Sequence, residues 1–311
     1  MNIENKMNIE KKKKKKKMTD VQKISVDDAK SLLKGYMEYK KKLQDNVPKP
    51  TKLFISTISA KAKIVYVGHE DEPLELIDIV RCLWKKRKIN EKVLQSFQYK
   101  TYVHNCKESK QFNNCCTLNF SDVNMRLFSK GNMTLVGLKY EEQGNKVLKE
   151  LTDFINEENS ERQLKHKIKI IGYKKTMINS NFECNFKLDR AKLYDLLKNR
   201  IKVSYGVTKY PGVKIYYMYN INNERSDYTK MGYCMCKDKV ACDKKKKNCS
   251  GLKENECKKI MIAVFQTGSI IISGASTNEQ LLEAYNWINY ILTTNYKDIV
   301  KISIDDYKKT L

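Results

Sequence analysis

The sequence predicts an α+β fold in which two related halves form one continuous antiparallel sheet, with long helices on one face. Two observations predict it. The stretch 128–143 recurs at 265–280, and in each copy a β-like run ends in Phe, turns at Gly and continues to a second Gly. A strongly amphipathic helix follows each copy, and an earlier β-like run with its own helix precedes it. Helices contributed by both halves would bury one face of the sheet and leave the other open.

The repeat is defined by matched residues at constant spacing. A shift of 137 positions aligns Phe128 with Phe265, Gly131 with Gly268, Gly137 with Gly274, Glu142 with Glu279 and Gln143 with Gln280. The upstream β-like runs are Leu53 to Ser59 and Lys169 to Phe182, and the helices after them are about Leu74 to Trp84 and Arg190 to Asn199. We therefore predict strand, helix, three strands and helix in each repeat.

Composition and punctuation divide the chain into five segments. These are a lysine-rich disordered tail (1–24), a helix with a proline-containing linker (25–50), repeat 1 (51–160), repeat 2 (161–296) with a Cys- and Lys-rich insertion (220–258), and a C-terminal tail (297–311). The run Lys11 to Lys17 suits a localisation signal or a loose phosphate-binding arm.

The charge points to a polyanionic partner. Lys and Arg number 61 against 36 Asp and Glu, a net charge of +25, of which residues 1–17 supply +6 and the remaining chain +19. Nucleic acid, an acidic membrane surface and an acidic protein all remain open on charge alone. A membrane-spanning or secreted protein is not expected, since the sequence shows neither a long apolar run nor a signal peptide.

One strand of the repeat places an aromatic residue on the open face. Strand alternation sets Asn124, Arg126 and Phe128 on one side, away from the core. An exposed Phe beside basic residues is unfavourable for stability alone, so it indicates an interaction surface.

These motifs resemble the TATA-box-binding protein family. The resemblance covers about Lys52 to Tyr296 and depends on Phe-x-x-Gly-x5-Gly occurring twice, on Glu141 to Gln143, and on Tyr210-Pro211-Gly212. The chain resembles a giant-DNA-virus member of that family. The resemblance implies a curved, saddle-shaped sheet with helices on its convex face and DNA in its concave face.

The family's mode of binding implies which residues contact DNA. Aromatic pairs wedge between base steps, bend the duplex and open the minor groove, and here the pairs are Phe112 with Phe128 and Tyr210 with Phe265. The other implied DNA contacts are Ile55, Thr57, Arg126, Thr134, Val136, Ile178, Ile271 and Ser273. At the positions of the family's central Asn pair, this sequence has Leu53 and Thr176 instead.

The implied target is an AT-rich promoter in double-stranded DNA, because minor-groove recognition mainly separates A·T from G·C pairs. The implied protein partners are basal transcription factors or a viral RNA polymerase, and the protein would act as a monomer on DNA. Its implied location is the host nucleus or a cytoplasmic viral transcription site, with packaging in the virion as a further expectation. The alternative function is a saddle-fold protein-interaction scaffold with only generic DNA binding.

Five of the ten cysteines cluster in the insertion: Cys234, Cys236, Cys242, Cys249 and Cys257. Four thiolates from this cluster would complete a tetrahedral structural zinc site. Free thiols and disulfides are the alternatives, and no other cofactor is required.

Catalysis is not expected. The three histidines, His69, His104 and His166, are dispersed, and no glycine loop of the phosphate-binding type is present.

Overall fold

The computed structural model describes residues 26–88, 91–108, 114–157, 164–222, 227–234, 236, 249–253, 256–303 and 307–308. They form two units, one from residues before Pro48 together with those after Lys301, and one from Pro48–Lys301. The first unit contains helix α1 (Val26–Lys42) and a 3-10 turn (Leu43–Asn46). Within it, the Tyr36 hydroxyl donates to the Ile302 carbonyl at 2.8 Å, and the Tyr36 ring packs edge-on against Tyr307. Residues 1–24, the predicted lysine-rich tail, lie outside the described residues.

The second unit contains both repeats. Repeat 1 consists of β1 (Phe54–Tyr66), α2 (Leu76–Lys86), β2 (Leu94–Tyr99), β3 (Tyr102–His104), β4 (Cys115–Phe120), β5 (Val123–Phe128), β6 (Asn132–Leu138) and α3 (Glu141–Asn156). Repeat 2 consists of β7 (Ile168–Glu183), α4 (Arg190–Leu197), β8 (Val203–Gly206), β9 (Tyr210–Tyr219), β10 (Lys258–Val264), β11 (Ser269–Ala275) and α5 (Asn278–Thr294), followed by the short α6 (Tyr296–Ile299). The insertion lies between β9 and β10.

The eleven strands of the described residues belong to one sheet, in the order β3-β2-β4-β5-β6-β1-β7-β11-β10-β9-β8. Every pairing is antiparallel, and the first strands of the two repeats, β1 and β7, pair at the centre. The prediction of one antiparallel sheet built from two repeats is confirmed. Four strands were predicted in each repeat, eight in all, whereas the described residues contain eleven. The three additional strands include β3 and β8, which have only three and four residues and carry no clear apolar alternation.

The helices cover one face of this sheet. Along β5 the residues Val123, Met125 and Leu127 are buried, while the positions between them are not. These buried residues share a core cluster with the apolar stripe of α3, including Leu151 and Ile155. The equivalent helix of repeat 2 packs in the same way, with the Trp287 ring 5.2 Å from that of Tyr217.

The repeated glycines are explained by the hairpins. Gly131 and Gly268 adopt φ of +77° and +98°, and a Cβ would lie 2.2 Å from the Ile64 carbonyl oxygen in one copy and 2.5 Å from that of Phe186 in the other. Gly131 N–H donates to the Phe128 carbonyl at 2.8 Å, and Gly268 N–H donates to that of Phe265 at 3.1 Å. Only glycine suits both the conformation and the space, so the Phe-x-x-Gly spacing encodes one turn used twice.

The repeated glutamines begin the long helices. Gln143 Oε1 accepts from the Lys139 N–H at 2.7 Å, and Gln280 Oε1 accepts from the Ser276 N–H at 2.8 Å. Each side chain satisfies a backbone donor just before its helix, as in a capping box. Among the described residues, no helix is long and apolar enough to span a membrane.

Candidate nucleic-acid interface

The sheet face opposite the helices is called the open face here. Register across the strands places side chains on it in rows, such as Thr117, Arg126, Thr134, Lys61 and Lys174 across β4, β5, β6, β1 and β7. The matching row of repeat 2 runs from Asn181 through Ile271 and Ala263 to Lys214. The cores that bury α3 and α5 lie on the other face of the sheet. Lys61, Arg126, Thr134 and Lys174 of these rows are exposed and accessible to a ligand, whereas Ala263 is fully buried.

The open face is cationic. Its basic residues include Lys61, Lys63, Arg126, Lys174, Lys214 and Lys259, and the carboxylate of Glu183 also lies on it. Lys61 and Lys174 are exposed and directly opposite each other on the two central strands. Like charges in a cross-strand pair destabilise a sheet, and an anion placed between them would relieve that repulsion.

The centre of the open face contains a hydrogen-bonded polar pair. Asn179 Nδ2 donates to Thr57 Oγ1 at 3.1 Å. Val136 and Ser273 are equivalent positions of the two repeats. Val136 pairs with Ser59 and Ser273 pairs with Asn179, so Ser59 and Asn179 are also equivalent. Leu53 and Thr176, where the resemblance places the family's central Asn pair, are not equivalent in this register, because Leu53 lies six residues before Ser59 and Thr176 three residues before Asn179.

One predicted aromatic pair is assembled in the structure. The Tyr210 and Phe265 rings lie with centroids 5.7 Å apart, and Lys214 Nζ lies 3.9 Å from the centre of the Tyr210 ring. The Arg190 guanidinium, at the start of α4, donates to the Pro211 carbonyl and, at 3.0 Å, to Gln266 Oε1. Arg190 thus ties together the two segments that carry the rings, a positioning role that the sequence did not suggest.

The other predicted pair is only half described. Phe128 ends β5, is half-buried and pairs with Cys115, which places it where Phe265 lies in repeat 2. Its predicted partner, Phe112, lies outside the described residues.

A concavity of about 500 Å³ lies on the open face of repeat 1. Its lining includes Asn119, Asn124, Arg126, Thr134 and Val136. Within the described part of the chain, the buried Asn119 Oδ1 has no hydrogen-bond partner. A buried acceptor beside an arginine suits a ligand that brings both a donor and negative charge.

The structure places most of the predicted DNA-contact residues on the open face and two of them on the helix-covered side. Arg126, Thr134, Val136, Ile271, Ser273 and Thr57 lie there. Ile178 is fully buried and pairs with Ile58 and Ala275 on the helix side, and Ile55 packs against the core of repeat 1. Both predictions were wrong because β-bulges in β1 and β11 reverse the alternation that the sequence suggests.

Several open-face residues were missed. Phe54 is 64% exposed and pairs with Asn181, next to Ile271. Lys61 and Lys63 were missed because the sequence prediction ended the first strand at Ser59, whereas β1 continues to Tyr66. The alternation of lysine with apolar residues from Ala60 onwards was the signal that would have extended it.

Two histidines that are distant in sequence come together elsewhere on the surface. The His69 and His166 rings stack at 3.9 Å, and His69 Nδ1 lies 2.9 Å from Glu72 Oε1. The neighbouring Lys165 donates to Glu72 and holds the pKa of that carboxyl below its usual value.

Three of the five clustered cysteines are brought together. The sulfur atoms of Cys234, Cys236 and Cys257 all lie within 4.8 Å of one another. Cys249 is half-buried and outside this group, and Cys242 lies outside the described residues.

Comparison with known proteins gives one curated relative. The chain is 32% identical over 187 residues, 57% of its length, to a protein of Acanthamoeba polyphaga mimivirus named TATA-box-binding protein-like. The resemblance inferred from the repeat is confirmed. The matched region spans 44% of the mimivirus protein, under half its length. No family model matches the chain.

The solved structures include a similar fold, that of Methanococcus jannaschii TBP. The similarity covers 78% of this chain and 99% of the archaeal chain, with 13% identity and a TM-score of 0.47.

Proposed function

We propose that this protein is a TATA-box-binding-like transcription factor of a large DNA virus, and that its open face binds and bends double-stranded DNA. The observation that carries the proposal is the composition of that face: an excess of basic residues, with a lysine pair opposed at its centre and the aromatic pair Tyr210–Phe265 near one end. The relative named TATA-box-binding protein-like supports the same function.

The two kinds of side chain have separate roles in this proposal. Lysine and arginine neutralise phosphates and supply affinity without sequence preference. Aromatic rings at the strand ends unstack base steps, which bends the duplex and favours steps that unstack at low energetic cost. An AT-rich promoter site, read through the minor groove, is the proposed target, and the viral transcription machinery is the proposed protein partner.

The test combines affinity with bending. Fluorescence anisotropy with AT-rich and GC-rich duplexes measures preference, and energy transfer between dyes at the duplex ends measures the bend. We expect Phe128→Ala with Phe265→Ala to remove most of the bend and the AT preference, while salt-sensitive binding remains. Leu282→Ala, which removes an exposed apolar side chain from α5, is the matched control and should change neither.

The outcome that contradicts the proposal is an unchanged bend angle and affinity in the double Phe variant. A protein that binds both duplexes equally and bends neither would instead favour the interaction-scaffold function.

A further inference from the structure

A group of three cysteine sulfurs lies at the base of the insertion. Cys236 Sγ is 3.4 Å from Cys257 Sγ, which is 3.7 Å from Cys234 Sγ. A disulfide requires about 2.05 Å, so these distances describe three separate sulfur atoms. Sulfurs bound to one tetrahedral zinc at about 2.3 Å lie about 3.8 Å apart, which is close to the observed spacing. We propose that Cys234, Cys236 and Cys257 bind a structural zinc ion through their thiolates.

The surroundings of the sulfurs match a structural metal site. Cys236 and Cys257 are buried with Met218 in a small cluster separate from the main core, and Cys234 packs against it. The buried Asn220 directs its Nδ2 to Cys257 Sγ at 3.9 Å and donates to the Glu256 carbonyl at 2.9 Å. An amide that faces a ligand sulfur is the kind of outer partner that orients ligands around zinc.

The ligands come from two segments far apart in sequence. Cys234 and Cys236 follow a segment bound along β9, where Met218 N–H donates to the Gly232 carbonyl at 3.0 Å. Cys257 immediately precedes β10, at the other end of the insertion. Zinc would therefore close the base of the insertion and fix it against the ends of two neighbouring strands. Three thiolates leave the fourth tetrahedral position to another side chain, because structural zinc sites are closed by protein ligands.

Zinc is preferred over harder cations because all three ligands are sulfur. Thiolates favour zinc and other soft ions, whereas magnesium and calcium require oxygen ligands. A metal also explains why an insertion rich in charge has a buried base, since metal binding contributes directly to folding.

The first experiment measures metal content. The full chain, expressed with zinc in the medium and purified without chelator, is analysed by mass spectrometry of its metals. We expect about one zinc per chain in the wild type, and a small fraction of that in Cys234→Ser and Cys257→Ser. Cys106→Ser removes an exposed cysteine outside the cluster and should retain the full zinc content.

A second measurement covers the case in which Cys257→Ser does not fold. Wild-type protein is treated with a strong chelator and compared by hydrogen exchange with untreated protein. We expect lost protection at 231–236 and 256–259, restored by added zinc, with protection of β1 and β7 unchanged.

Three results would overturn the proposal. They are wild-type protein without metal, zinc content that both cysteine variants retain, and an intact mass two hydrogens low that shows a disulfide among these cysteines. None of them bears on DNA binding by the open face, so this proposal and the proposed function fail separately.

Discussion

The opposed lysines at the centre of the sheet allow the role of the open face to be tested against that of overall charge. A protein with a net charge of +25 will bind DNA weakly by any basic surface. Lys61→Gln with Lys174→Gln removes two charges from the open face and leaves the total nearly unchanged. The matched control, Lys146→Gln with Lys149→Gln, removes two exposed charges from α3 on the helix-covered side.

The expected effect follows from counterion release. Each neutralised phosphate adds about −0.9 to the slope of log affinity against log salt. Removing two that contact phosphate should make the slope shallower by about 1.8. The ratio of wild-type affinity to variant affinity should then be about tenfold smaller at 200 mM salt than at 50 mM. Anisotropy titrations of one duplex at four or more salt concentrations measure both quantities.

Stability should move in the opposite direction. Because Lys61 and Lys174 are paired across β1 and β7, their removal relieves a like-charge contact. We expect the double variant to have an unfolding temperature equal to or above that of wild type. A wild-type salt slope in the open-face variant, or an equal change in the α3 control, would refute the assignment of this face to DNA.

The remaining predictions concern the framework around that face. Gly131 and Gly68 share a φ of +77°, but only at Gly131 would a Cβ lie 2.2 Å from the Ile64 carbonyl oxygen. Urea unfolding should show that Gly68→Ala lowers the free energy of unfolding by about 1–2 kcal/mol. Gly131→Ala should lower it by about 1–3 kcal/mol more. Arg190→Lys keeps the charge but loses the fork that joins the aromatic segments, so energy-transfer measurements should show a smaller bend with binding retained. Burial raises the pKa of Cys184 to about 11, which leaves about 0.1% thiolate at pH 8. In timed maleimide labelling, the exposed Cys106 should therefore react while Cys184 does not. Equal labelling rates for the two cysteines would contradict this prediction.

The sequence predicted the features that repeat. Gly131 and Gln143 each perform the same task as the residue 137 positions later, and each task is local: a turn that only glycine permits, or a glutamine that begins a helix. Such local requirements leave a pattern in the chain, so the hairpins, the long helices and the single antiparallel sheet followed from it.

The features that the sequence concealed depend on contacts between distant segments. The face on which Ile55 and Ile178 lie is set by bulges in the pairing of β1 with β7 and of β7 with β11, and no local pattern marks those bulges. The role of Arg190 depends on two loops that meet only in the folded chain. The clustering of Cys257 with Cys234 likewise requires the two ends of the insertion to meet.

The two halves share a backbone plan but differ in the chemistry of the open face. The shift of 137 positions pairs Arg126 with Ala263 and Asn124 with Met261, so the middle strand of repeat 1 presents charge and an amide where that of repeat 2 presents apolar groups. A symmetric sheet would bind a duplex equally well in either direction. Under the proposed function, the two different halves would favour different base steps and groove widths at the two ends of a site. On an asymmetric promoter element, the proposed DNA-binding face would therefore select one direction, which is what a factor that directs transcription one way requires.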